Sequence, residues 1–217
     1  MVQLINERAL GGQPKDEQKF ISFLKEHNSK LFLLCCGTDY LSVKYAYDKN
    51  FRYSILTPFF NGKVTTKEYN NILSYIKPIY LDHHQFVYKN IQGVIASDMD
   101  YHLPMKDHPN YLGLIPNPIN TDKISYIENP VEDKIIIFHG INKANFYKKG
   151  NDLFEKALDI IKNKYPNKTA IISTENIPYN EYINLYNKAH ILLDQIYAYD
   201  QGYNALEAMA KGKVVFT

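Results

Sequence analysis

The sequence predicts an α/β fold of two domains, each a parallel sheet with helices packed against it, and three observations carry that prediction. Short apolar runs of strand length alternate with amphipathic stretches of helix length along most of the chain. The segment LGLIPNPIN, residues 112–120, holds two prolines two apart, so its backbone is extended and excluded from a helix interior. Polar, glycine-bearing loops follow several of the apolar runs, and an open parallel sheet gathers its ligands at such carboxyl ends. The division is drawn at 115/116, giving one domain over 1–115 and a second over 116–217.

In order, residues 14–29 form a charged helix with Phe20, Phe23 and Leu24 on one side, and Lys30–Cys36 a buried strand that ends in a turn at Gly37. A polar helix over 66–76, a short β segment at 79–81, a helix near 84–88 and a strand at 93–96 continue the alternation. Beyond the prolines come strand 134–138 and helix 151–165, with Leu153, Phe154, Ala157, Leu158 and Ile161 inward, then strand 169–173. Helix 180–188, strand 190–194, helix 203–210 and strand 213–216 close the chain. On this reading the first 29 residues supply one helix and no strand, and no helix follows the last strand, so the fold is expected to be truncated at both ends.

The 217 residues, 45% hydrophobic and 22% charged, belong to a globular chain, and a net charge of +2 without a basic block disfavours nucleic acid as a partner. No apolar run reaches the roughly 20 residues needed to span a bilayer. The expectation is a cytoplasmic protein without a transmembrane segment, with peripheral contact at the inner membrane face compatible with it. Cys35 and Cys36 are adjacent, which suits neither a structural disulfide nor metal-ligand spacing.

The loop FHGINKANFYKKG, residues 138–150, joins a strand to a helix and offers His139, Gly140, Asn142, Lys143, Lys148, Lys149 and Gly150 before the positive end of helix 151–165. Backbone approach at Gly140 and the lysine charges suit a diphosphate, and a solvated basic loop is the plain alternative. Neither G-x-G-x-x-G nor G-x-x-x-x-G-K-[ST] occurs. Asp194, Gln195, Asp200 and Gln201 stand ahead of Gly202, where they suit sugar hydroxyls or the capping of their own loop. Glu207 is read as a buried carboxylate in the N-terminal half of a short helix, placed to accept two ribose hydroxyls. Asp39 suits an acceptor contact or a base, and with Thr38 it suits a helix cap equally. Asp98 and Asp100 read as loop caps in preference to a metal pair, and His83, His84, His102 and His108 lack metal-ligand spacing.

On IPNPIN, NKANFYKKG and GYNALEAMAKGKVVFT, over about residues 112–217, the chain resembles the glycosyltransferases of the two-Rossmann-domain (GT-B) type, family 4 or group 1. The resemblance implies two Rossmann-like domains and transfer of a sugar from a nucleoside-diphosphate sugar to a glycan, lipid-linked or other hydroxyl acceptor, as in polysaccharide biosynthesis by bacteria. It implies Lys143 and Lys149 on the donor pyrophosphate, Glu207 on the ribose, Asp194 and Gln195 nearby, and no metal or cofactor. Where many members carry an earlier glutamate facing the transferred sugar, this sequence has Tyr199. A nucleotide-sugar epimerase and a non-catalytic nucleotide-binding fragment are the alternatives.

Overall fold

A computed structural model describes residues 1–217. They divide into two compact units, unit 1 of residues 1–52 and 64–117 and unit 2 of residues 53–63 and 118–217. No sequence pattern signalled that the stretch 53–63 belongs with the second half of the chain.

Unit 1 contains β1 (Val2–Ile5), α1 (Pro14–His27), β2 (Leu31–Cys35) and α2 (Tyr40–Tyr47). The chain then contributes α3 (Thr57–Phe60) to unit 2 and returns for α4 (Asn70–Leu73), a 3-10 turn at Ser74–Ile76, and α5 (Pro78–Asn90). It continues through β3 (Gly93–Ala96), α6 (Met99–Met105) and β4 (Tyr111–Leu114). The four strands are parallel in the order β1-β2-β3-β4. Leu31, Leu33 and Cys35 alternate along β2 on the buried face, where they pack with Leu4, Val94 and Ala96. Ile21 of α1, Val87 and Tyr88 of α5, and Tyr101 and Met105 of α6 cover that face in a single core.

Three expectations need correction here. The chain does open with a strand: VQLI pairs in parallel with β2 from Val2↔Leu31 to Ile5↔Leu34, although four residues ahead of a polar loop carry little periodicity. Residues 79–81 are helical, because Pro78 occupies the first turn of α5, where its missing N–H costs nothing, and the β-rich triplet IYL continues into the helix. Residues 66–76 form only the short α4 and the 3-10 turn.

Unit 2 continues with β5 (Ile135–Ile141), a 3-10 turn at Lys143–Asn145, α7 (Phe146–Lys149), α8 (Asn151–Lys164) and β6 (Thr169–Glu175). It ends with α9 (Tyr179–Lys188), β7 (Ile191–Leu193), α10 (Gly202–Ala210) and β8 (Val214–Phe216). The strands are again parallel, in the order β6-β5-β7-β8. Each face of this sheet has its own core. Ile137, Ile171 and Leu193 pack on Phe154, Leu158 and Ile161 of α8, while Phe138, Ile172 and Leu192 pack on Tyr182 and Tyr186 of α9 and Ala208 of α10. Ala157 is exposed, so the inward stripe of α8 is narrower than its sequence suggests. The architecture is therefore two parallel α/β units of Rossmann-like build, each with its own sheet.

Candidate functional site

In unit 2 the chain leaves β5 toward β6 on one side and returns to β7 on the other, so strand order reverses between β5 and β7. Crevices outside the carboxyl ends of such a pair are where open α/β sheets bind ligands. Asp194 follows β7 at this point and is 5% exposed. Its Oδ1 accepts from Lys149 Nζ at 2.9 Å and from Asn204 Nδ2 at 3.2 Å, and its own N–H donates to Phe216 O at 2.9 Å. Asn204 Oδ1 accepts from the Tyr182 hydroxyl at 2.8 Å, and burial together with the Asp194 charge pushes that phenol up to about 12. An acidic centre thus holds a half-exposed lysine at the switch point.

The loop ahead of α10 is self-capped. Gln195 Nε2 donates to Asp200 O, and Asp200 Oδ1 accepts from the Gly202 N–H at 3.0 Å. Gly202 is the first residue of α10, with φ +60, and a Cβ there would lie 3.7 Å from Asp200 Oδ2 and 4.0 Å from Asp194 Oδ2. Glu207 is the sixth residue of this nine-residue helix, so it sits in the C-terminal half and the field of the helix N-terminus does not act on it. It pairs instead with Lys211 Nζ at 2.6 Å, with the Glu207 side chain 28% exposed. Asn204 and Glu207 stand one turn apart on one helical face.

The basic loop splits. Lys143 is largely exposed and reaches Glu175 at the end of β6 at 3.1 Å, and its N–H donates to Asn176 Oδ1 at 3.2 Å. Lys149 reaches Asp194 beyond β7. Because β6 and β7 flank β5, their two carboxylate partners stand two strand spacings, about 10 Å, apart. The two lysines thus turn to different acids, on opposite sides of β5. Asn142 caps the intervening turn, accepting from the Ala144 N–H at 3.0 Å. Gly150 joins α7 to α8 in the left-handed region, φ +78.

Two ligand readings at β5 are corrected. His139 is fully buried under α8, its Nε2 3.1 Å from Asn151 Oδ1 and its ring edge-on to Phe154, so it has no surface to offer a phosphate. At Gly140 a Cβ would lie 2.6 Å from the Tyr182 ring, so the glycine makes room for that ring and not for a ligand. The first turn of α8 keeps two buried polar atoms without partners, Asn151 Nδ2 and Asp152 Oδ1. Lys63, from the stretch 53–63, pairs with the other Asp152 oxygen.

The carboxyl edge of the unit 1 sheet carries a second cluster, in which Glu7 lay outside the sequence reading. Glu7, 3% exposed, follows β1 and is clamped by consecutive histidines of α5. His84 Nδ1 lies 2.6 Å from Glu7 Oε1, and His83 Nε2 donates to Glu7 O at 2.8 Å. Asp39 caps α2 by accepting from the Ser42 N–H at 2.8 Å, while its Oδ2 is buried without a partner. Burial first, then the charge of Glu7, raises Asp39 from 3.8 to about 6. The Cys35 thiol beside it is pushed up by burial and by Asp39, which keeps it neutral and poorly nucleophilic. Asp98 caps α6, accepting from the Asp100 N–H at 2.9 Å and from the Ser97 hydroxyl at 2.9 Å. His102 bonds Tyr111 OH at 2.7 Å, and His108 Nδ1 accepts from the Asn110 N–H at 3.1 Å. No group of three or more His, Cys, Asp or Glu side chains is arranged to hold a metal ion.

No known family profile and no curated protein matches this chain. Among solved structures it is similar to the sucrose-phosphate synthase of Thermosynechococcus elongatus, at 15% identity and a TM-score of 0.42, over 91% of this chain and 59% of that one. The chain thus spans about 59% of the length of that structure. The parallel sheets, not this likeness, establish the architecture. No helix is long and apolar enough to cross a membrane.

Proposed function

We propose that the chain is a glycosyltransferase, transferring a sugar from a nucleoside-diphosphate sugar to a hydroxyl acceptor. The observation that carries this reading is the Lys149–Asp194–Asn204 group at the switch point of unit 2, with Glu207 one turn further along the same face of α10. Lys149 would turn from Asp194 to the donor diphosphate and offset the charge that grows on the leaving group, with the first turns of α8 and α10 contributing N–H dipoles. Glu207, released from Lys211, would accept the two ribose hydroxyls. Gly202, without a side chain, would let a ligand approach the backbone beside Asp194. Asp194 and Gln195 hold the loop that shapes the site. Lys143, on the β6 side, would act as an outer charge.

Asp39, which is 1% exposed and caps α2, offers an acceptor no surface, so no base is assigned in unit 1. The reaction needs no metal in this scheme. The motif resemblance of residues 112–217 supports the same class and extends it to acceptors of the polysaccharide or lipid-linked kind, at a cytoplasmic membrane face. Incubation with UDP-, GDP- and ADP-sugars and an acceptor pool tests it. Release of one nucleoside diphosphate with a glycosylated product is expected, and release of none from any donor would refute it.

A further inference from the structure

The two sheets end in four edge strands, and three are blunted in ways that discourage pairing. β1 has four residues and β8 three, and β4 has four with a register shift opposite Val94 and Ile95. β6 differs. It runs seven residues, keeps one register with β5 from Ile135↔Thr169 to Ile141↔Glu175, and contains no proline and no lysine. Its one charge is the terminal Glu175, and long regular edges with an uncharged, proline-free centre are templates for another strand.

The backbone pattern shows which groups are available. Ile135 N–H donates to Lys168 O and Asn176 N–H to Ile141 O, so even-numbered residues of this stretch face β5 and odd-numbered residues face outward. Thr169 N–H is taken by Tyr165 O, which leaves the N–H groups of Ile171 and Ser173, with their carbonyls, along the open edge. Beside them lies a groove of about 620 Å³, floored by Leu158, Pro166 and Ile171 and flanked on α8 by Glu155, Asp159 and Lys162.

We propose that this edge joins two copies of the chain, β6 pairing antiparallel with β6 of the second copy about a two-fold axis at Ile172. In that register each Ile171 exchanges both backbone hydrogen bonds with Ser173 of the second copy, so every outward group in the centre of the edge is paired. Charge selects this occupant. α8 runs antiparallel to β6, with Lys162 toward the start of the strand and Glu155 toward its end. A two-fold axis therefore sets Lys162 of each copy opposite Glu155 of the other, two complementary pairs that flank and offset the two like-charged Asp159 side chains near the axis. The unit 2 sheets of the two copies would merge into one continuous eight-stranded sheet.

Sedimentation equilibrium of the full chain, from about 1 to about 100 µM, is the test. A monomer–dimer equilibrium is expected. Ser173→Pro deletes an N–H that β5 does not use and should raise the dimer Kd at least about tenfold. Glu155→Lys and Lys162→Glu on the exposed face of α8 should each weaken the dimer, and the double variant should restore it. Circular dichroism confirms that each variant is folded, and the charge exchange keeps the test open if Ser173→Pro is not. A chain monomeric throughout, a dimer indifferent to Ser173→Pro, or a double variant no tighter than the singles would overturn the proposal.

Discussion

The two units are built from the same parts and differ in the order of assembly. Unit 1 adds its strands in one direction, β1-β2-β3-β4, whereas unit 2 reverses at β5 to give β6-β5-β7-β8. Right-handed crossovers that always advance the same way place their helices on one face, which is why α1, α5 and α6 share one core in unit 1. The opposite face of that sheet leaves Ile5 and Leu112 more than half exposed. Reversal puts α8 on one face of the unit 2 sheet and α9 and α10 on the other, giving two cores and a switch point between β5 and β7. Strand order thus separates a unit with a switch point, the place where open α/β sheets bind ligands, from one whose carboxyl edge carries buried acids. Asp194 is bonded to a lysine that can turn outward, while Asp39 and Glu7 are held by a cap and by histidines.

The largest test of this contrast is Asp194→Ala. It leaves Lys149 and Asn204 without their shared acceptor and should cost about 3 kcal/mol in unfolding stability, read by denaturant titration, as well as nucleotide binding. A loss under about 1 kcal/mol would mean that the centre is not structural.

Asp39→Asn should act in the opposite direction and depend on pH. Asp39 holds its proton to about pH 6 in the fold against 3.8 ordinarily. The stability this provides is complete below the lower value and is lost as pH rises through the upper one. Asparagine keeps the cap without the charge, so the variant should match the parent near pH 4 and exceed it by about 1–3 kcal/mol at pH 8. Parallel melting-temperature profiles for the two would contradict the assignment of buried charge to Asp39.

Smaller effects sharpen the division within unit 2. Lys149→Ala should weaken nucleoside-diphosphate affinity about tenfold, or 1.4 kcal/mol, while Lys143→Ala changes it less than about threefold. Equal losses would restore the view of a converging lysine pair. Glu207→Gln should cost a few-fold in affinity with no change in the melting temperature, since its partner Lys211 also bonds Asn187 Oδ1 at 2.9 Å.

Unit 2 was the more legible half because its elements are long and periodic. Strands 134–138, 169–173 and 190–194 and helices 151–165, 180–188 and 203–210 lie within two or three residues of the observed elements. Unit 1 was harder to read. β1 is too short to show alternation, and the IYL triplet at the start of α5 favours strand locally while Pro78 and the packing of Val87 and Tyr88 make it helical. The site was legible as residue types but not as partners. Lys143 and Lys149 are six apart in sequence, and only strand order shows that they attach on opposite sides of β5. His139 and Gly140 looked like a phosphate loop because burial under Phe154 and Tyr182 depends on contacts from distant helices. Glu7 and Asn204 became candidates only through their bonds to His84 and Asp194, and no local motif marks either.

Calorimetric titration with UDP, GDP and ADP, with and without magnesium, for the parent chain and Lys149→Ala decides whether the switch point of unit 2 receives a nucleoside diphosphate. One nucleotide should bind without magnesium, and Lys149→Ala should weaken that binding about tenfold. Binding of none, or equal affinity in the folded variant, would contradict that assignment.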